Sequence, residues 1–142
     1  VKELPPEAPL YARVAASFGQ QTVMAAIGAS LRSVTSGAVE IELPYRADLC
    51  QQDGFLHAGI VTTIADSACG YAAFTLMAAG ARVLSVEFKI NFLAPAIGDK
   101  LIARGKVARA GRTISVCTGE VVALSQDAER AIALMQATMM AV

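Results

Sequence analysis

Between His57 and Ala81 the chain carries one charged residue, Asp66, inside an otherwise apolar run. The run reads as a helix from Ala58 to about Ala79, with apolar residues from Ile60 to Met77 distributed all round it. Such a helix is buried by protein or by lipid. Its length approaches that of a membrane span. A carboxylate near the middle of a span costs about 2.5–3.5 kcal/mol on insertion scales, and the run lacks flanking basic clusters and aromatic belts. The expectation is a helix buried in protein, with no membrane partner.

The rest of the chain supplies what could cover it. Leu10 to about Ala26 has helical periodicity, and Gly28 marks the exit. Ala29–Val34 reads as a strand and Thr35-Ser36-Gly37 as a turn. Val39, Ile41 and Leu43 alternate with Glu40 and Glu42, the pattern of a half-buried strand ending near Pro44. Arg46–Leu56 is a loop that turns at Asp53-Gly54. Leu84, Val86, Phe88, Ile90 and Phe92 then alternate with Ser85, Glu87, Lys89 and Asn91. Leu101–Arg109, Thr113–Leu124 and Ala131–Ala141 read as three more strands, with turns at Gly111 and at Ser125–Asp127. The short connections predict antiparallel neighbours among the late strands. One apolar sheet face and one apolar helix are natural partners. The fold class expected is α+β, a single domain over 1–142 in which an antiparallel sheet wraps a long central helix, with residues 1–9 a proline-rich lead-in.

Hydrophobic residues make up 55% of the 142 residues and charged ones 17%, against roughly 25% charged in an average soluble protein. Apolar surface left over in patches marks an interface, so a homo-oligomer is expected. Twelve basic and twelve acidic residues cancel, which gives no footprint for a nucleic-acid partner. Cys50, Cys69 and Cys117 are far apart and form no C-x-x-C pair, so neither a metal site nor a disulfide framework is expected. Free thiols suit a reducing cytoplasm. The N-terminal residues lack the basic start and apolar run of a signal peptide. No cofactor is called for. The single histidine, His57, excludes any mechanism that needs two imidazoles in one chain.

An ionised carboxylate in a buried helix is costly unless paired or hydrogen-bonded. Three readings of Asp66 stand side by side. It accepts hydrogen bonds from Thr62 or Ser67 as a structural element; it serves as general base or nucleophile; or it pairs with a donor on a second subunit. The loop before it, Gln51 to Gly59, joins a polar amide, a turn, the histidine and two small residues at a helix start. Helix N-termini present unpaired N–H groups and partial positive charge, which can polarise a carbonyl and stabilise an oxyanion. An ordinary loop in which His57 caps or packs is the alternative. Ala58 and Asp66 are eight residues apart, about 12 Å along a helix. If both act on one carbonyl, two chains must supply them, and a two-fold dimer does so twice.

Gly54-Phe55-Leu56-His57-Ala58-Gly59 with Asp66 nine residues after the histidine resembles the hotdog-fold thioesterases, particularly the phenylacetate-degradation type of acyl-CoA thioesterase. Asp66–Ala72, the block Ser85–Pro95 and Gly98-Asp99 are similar to the same family. The resemblance implies a sheet-wrapped helix in dimers or tetramers that hydrolyse acyl-CoA. It implies that Asp66 attacks or activates water, and that the Ala58 N–H of a partner chain polarises the carbonyl. His57 would hold the loop and Ser85 would position the water or the carboxylate. Gln51 stands where the family has Asn, and Ala58 replaces the first Gly of a pair. Gly59 and Leu84 are candidate substrate contacts. CoA carries phosphates, for which Arg82, Lys106, Arg109 and Arg112 are candidates. A hotdog hydratase or dehydratase and a non-catalytic acyl-CoA-binding subunit are the alternatives.

Overall fold

The computed structural model describes residues 8–142; most of the proline-rich lead-in, residues 1–7, lies outside the described residues. The elements run α1 (Ala8–Phe18), α2 (Thr22–Ile27), β1 (Ser30–Thr35), β2 (Ala38–Pro44), a 3-10 turn (Ala47–Leu49), α3 (Ala58–Phe74), β3 (Val83–Phe92), β4 (Lys100–Ala110), β5 (Ile114–Ser125) and β6 (Ala128–Ala141). The strands form one antiparallel sheet in the order β1-β2-β4-β5-β6-β3. The sheet packs on α3, and the hotdog architecture expected from the resemblance is the one observed.

Helix α3 rests on the sheet almost backbone to backbone. A methyl group at Gly105 of β4 would stand 2.2 Å from the Ala68 carbonyl oxygen, and one at Gly119 of β5 would stand 2.9 Å from Cys69 Sγ. The two glycines open a groove that the helix fills. Around it Ile41, Leu43, Ile64, Ala68, Leu101, Ala103 and Met139 are fully buried. The outward residues of β2 are tied instead to charge: Glu42 accepts from Lys100 at 3.0 Å and Glu40 from Arg104 at 3.1 Å, while Arg104 also holds Glu129. The alternation in β2 is thus the alternation of core and ion pairs.

Four expectations are corrected. The N-terminal helix is two helices, because Gly19 weakens the chain between Phe18 and Thr22 and glycine is a poor helix former. The long helix stops at Phe74 rather than about Ala79. Thr75 Oγ1 donates to the Ala72 carbonyl at 2.7 Å and accepts from Gly37 N–H at 2.8 Å, and the Arg13 guanidinium collects the Met77 and Ala78 carbonyls. Carbonyls beyond the last helical turn thereby find partners without further helix. The late strands are not all neighbours in sequence order. The connection Leu93–Asp99 carries the chain from the sheet edge at β3 to β4 beside β2. Finally, a bulge between Ser85 and Glu87 interrupts the alternation of β3. Ser85 lies opposite buried Met139, and Phe88 opposite buried Ala137. The extra residue therefore turns Ser85 toward α3, whereas unbroken alternation grouped it with Glu87.

Candidate functional site

The loop ahead of α3 is built around its own side chains. Gln51 Oε1 accepts from the N–H groups of Asp53 at 2.5 Å and Phe55 at 3.3 Å. Tyr45 donates its hydroxyl to the Gly54 carbonyl at 2.8 Å, and Cys50 bridges to Leu56 as an isolated ladder pair. Gln51 Nε2 donates to Asp53 Oδ2 at 3.4 Å, so Gln51 is a loop-forming residue at the edge of the cleft it lines.

His57 is the N-cap of α3, and its Nδ1 accepts from Gly59 N–H at 2.8 Å. That contact assigns the ring proton of the neutral imidazole to Nε2. It also engages the Gly59 N–H, and a methyl group at Gly59 would lie 3.1 Å from Nδ1. The next donor in the first turn, the Ala58 N–H, makes no hydrogen bond among the described residues. Ala58 lines, with Gln51, a cleft of about 380 Å³ walled by Val61, Phe92 and Pro95. An unpaired N–H at a helix N-terminus is a donor suited to a developing oxyanion.

Asp66 opens elsewhere. It is half-buried in one chain rather than fully buried, and it lines a separate cavity of about 250 Å³ with Gln21, Ser67, Tyr71, Leu84 and Ser85. Neither neighbour considered for a structural role bonds to it: Thr62 donates back to the Ala58 carbonyl and Ser67 to Gln21. Its partner is Ser85 Oγ at 2.7 Å, a residue the β3 bulge delivers. A carboxylate that accepts one side-chain hydrogen bond, with oxygen lone pairs left over, can orient water or attack an electrophile.

The structure therefore joins Asp66, Ser85 and Leu84 in one cavity, and Gln51 and Ala58 in another, while His57, though it caps α3 beside Ala58, lines neither. Arg82, Arg109 and Arg112 gather at one end of the sheet. Arg82 pairs its backbone with Val142, Arg112 sits in the β4–β5 turn, and Arg109 follows a bulge opposite Val116. Among the described residues these three arginines make no ion pair. Lys106 lies farther along β4, opposite Thr118. Gln21 and Tyr71, both at the Asp66 cavity, had no signal in the sequence: fifty residues separate them.

A cysteine nucleophile is the natural rival to a carboxylate. Cys69 and Cys117 are buried on the core side of α3 and β5. Burial pushes the Cys69 thiol up to about 12 and that of Cys117 to about 11, so neither forms thiolate at neutral pH. A disulfide reagent at pH 8 is expected to modify Cys50 alone in the native protein and all three thiols after denaturation. Fast labelling of Cys69 in the native state would return it to consideration.

Among the described residues no helix is long and apolar enough to cross a membrane, and no group of three or more His, Cys, Asp or Glu side chains could hold a metal ion.

The thioesterase superfamily model matches residues 53–129, more than half of the chain. A solved thioesterase family protein from Silicibacter pomeroyi is 52% identical, with a TM-score of 0.90 over 92% of this chain and 96% of that one. The Escherichia coli PaaI protein of the phenylacetic acid degradation operon is 22% identical and shares the fold, with a TM-score of 0.83 over 93% of this chain and 92% of that one. A protein from Saccharolobus solfataricus, named only as a candidate esterase, is 36% identical over 84 residues, and the match spans 59% of its length. The family match over more than half of the chain, on the fold described above, makes the assignment plain: the chain belongs to the thioesterase superfamily, and its fold is the hotdog fold.

Proposed function

We propose that the protein hydrolyses acyl-CoA thioesters to free acid and CoA at sites shared by two copies of the chain. One observation carries this reading: Asp66 with Ser85, and Ala58, line different cavities of a single chain. They are also fixed on one rigid helix about 12 Å apart. Complementary halves on one molecule are completed by a two-fold related copy.

The sheet edge favours that assembly. Strand β3 is ten residues long and, among the described residues, pairs only with β6. Leu84 and Val86 are each 53% exposed on it, and Phe88 and Phe92 over 40%. A long apolar edge is a template for a further strand.

In the shared site the Ala58 N–H of one copy donates to the thioester carbonyl oxygen. Asp66 of the other copy supplies the attacking oxygen, directly or by taking a proton from water held beside Ser85. In either course a C–O bond forms to the carbonyl carbon, negative charge collects on the carbonyl oxygen at the helix terminus, and the C–S bond breaks to release CoA thiolate. When water attacks, the proton that Asp66 took passes to the thiolate and the free acid is formed at once; when Asp66 attacks, an acyl-aspartyl anhydride is left, which water cleaves to the free acid and the carboxylate, its proton passing to the thiolate. His57 keeps the first turn of α3 in place through Gly59. Arg82, Arg109 and Arg112 offer the phosphates of CoA a cationic end of the sheet.

Ala58→Pro tests the sharing without disturbing the helix. Proline is favoured at the first helical position and deletes only the N–H. Its predecessor His57 already has extended backbone, with ψ at 141°, as proline requires. Ala58→Pro and Asp66→Asn proteins are each expected to be nearly inactive on an acyl-CoA panel. Unfolded together and refolded as an equal mixture, they are expected to recover about a quarter of wild-type activity, because half the dimers are mixed and each has one intact site. No recovery on mixing would overturn the shared site. A wild-type protein that releases no thiol from any acyl-CoA would overturn the activity itself.

A further inference from the structure

The break between α1 and α2 has a consequence at the Asp66 cavity. Gln21 occupies the break with extended backbone, φ −78° and ψ 95°, and its side chain does not cap α2. It turns instead to α3. Its Nε2 donates to the Tyr71 hydroxyl at 2.9 Å, and its Oε1 accepts from Ser67 Oγ at 3.4 Å. Ser17 Oγ completes the set, 3.1 Å from the Tyr71 hydroxyl. Tyr71 is buried, so the hydroxyl that holds Gln21 is fixed by the core.

Gln21 and Tyr71 line the same cavity as Asp66 and Ser85. Between the two groups stands Gly70, one helical turn beyond Asp66. A methyl group there would come no closer than 3.9 Å to Met139, so the glycine leaves open the space between the carboxylate and the amide. A primary amide has two N–H donors and two acceptor lone pairs. Tyr71 takes one donor and Ser67 one lone pair, which leaves one of each. From Asp66 to Tyr71 is five residues, about 7.5 Å of helix.

We infer that Gln21 is a specificity-determining residue. It selects a short acyl group that carries a hydrogen-bonding substituent, such as a hydroxyl, about six atoms beyond the thioester carbonyl. The inference rests on the proposed acyl-CoA hydrolysis and names the class of acyl group. The physics is that of an oriented polar floor. A simple hydrocarbon chain of the same length would displace water from the free N–H and lone pair and return nothing to them. A hydroxyl replaces both contacts. Sites built to hydrogen-bond a substrate group reject the analogue that lacks it far more strongly than apolar pockets reject an added group.

The test uses an isosteric pair, 6-hydroxyhexanoyl-CoA and heptanoyl-CoA. The wild-type protein is expected to show a kcat/KM at least about tenfold higher for the hydroxyacyl thioester, the worth of one well-placed neutral hydrogen bond. Gln21→Leu is expected to erase or reverse the preference. Tyr71→Phe keeps the ring in the core and frees the amide, and is expected to weaken the preference by about threefold. Calorimetric binding of the non-hydrolysable thioether analogues gives a second readout that needs no turnover. Equal kcat/KM for the pair, an unchanged ratio in Gln21→Leu, or equal binding of the two analogues would each overturn the inference. If thioesters are hydrolysed without discrimination, the inference alone falls. If the analogues are discriminated but no thioester is cleaved, the hydrolytic reading falls and Gln21 stands as a determinant of binding.

Discussion

Asp66→Asn is expected to lower kcat for the proposed acyl-CoA hydrolysis by about a hundredfold to ten-thousandfold, the range for a positioned acid–base group. KM and thermal stability stay near wild type. Asparagine keeps the side-chain oxygen that accepts from Ser85 at 2.7 Å, so the local geometry survives. It loses the charge that attacks or takes a proton in the proposed reaction. Because α3 is packed on its core side by Ile64, Ala65, Ala68 and Cys69, all buried, a change on the cavity side leaves that packing intact. Steady-state kinetics with circular dichroism on the same sample checks both halves. A variant that keeps kcat within tenfold of wild type would remove Asp66 from the chemistry. If instead the loss appeared in KM alone, Asp66 would be a binding group.

The second large effect is on the fold. Gly105→Ala puts a methyl carbon 2.2 Å from the Ala68 carbonyl oxygen and 2.5 Å from the Cys69 nitrogen. Both are backbone atoms of a helix held on its other sides, so relief requires α3 to lift from the sheet. Overpacking a tight core typically costs about 1–3 kcal/mol, and more when backbone must move. At the upper end the melting temperature falls by about 10 °C for a chain of this size. Gly70→Ala, on the same helix, is the control: no atom comes nearer than 3.9 Å, and alanine favours helix by about 1 kcal/mol. Its melting temperature is expected to hold or rise. Thermal unfolding of the two variants side by side decides the matter, and a Gly105→Ala protein as stable as wild type would mean the helix is not seated as described.

What could be read from the residues alone was local or periodic. The strand with Val39, Ile41 and Leu43 was legible because its outward partners are charged. The separation of Ala58 from Asp66 was legible because helix rise is fixed. The course of β3 was not. Leu84, Val86 and Phe88 alternate so regularly that a bulge has no sequence mark, yet the bulge is what brings Ser85 to Asp66. The same strand pairs with β6 rather than with β4, which follows it. A seven-residue connection permits either course, and only the competition among all the strands decides between them. Thr75 ended α3 through a bond to Gly37, thirty-eight residues away, and local propensity holds no record of such a contact. The Gln21–Tyr71 contact escaped for the same reason: it depends on how two helices far apart in sequence meet.

The crossing at Gly105 and Gly119 also bears on how this scaffold can change. At these two glycines α3 is clamped against the sheet, and an atom added to either is refused. The residue between the short helices, Gln21, lines the Asp66 cavity and is held to α3 by side-chain hydrogen bonds to Tyr71 and Ser67. New acyl preferences can therefore be acquired by exchanging that residue, while the carboxylate keeps its position relative to Ser85 throughout.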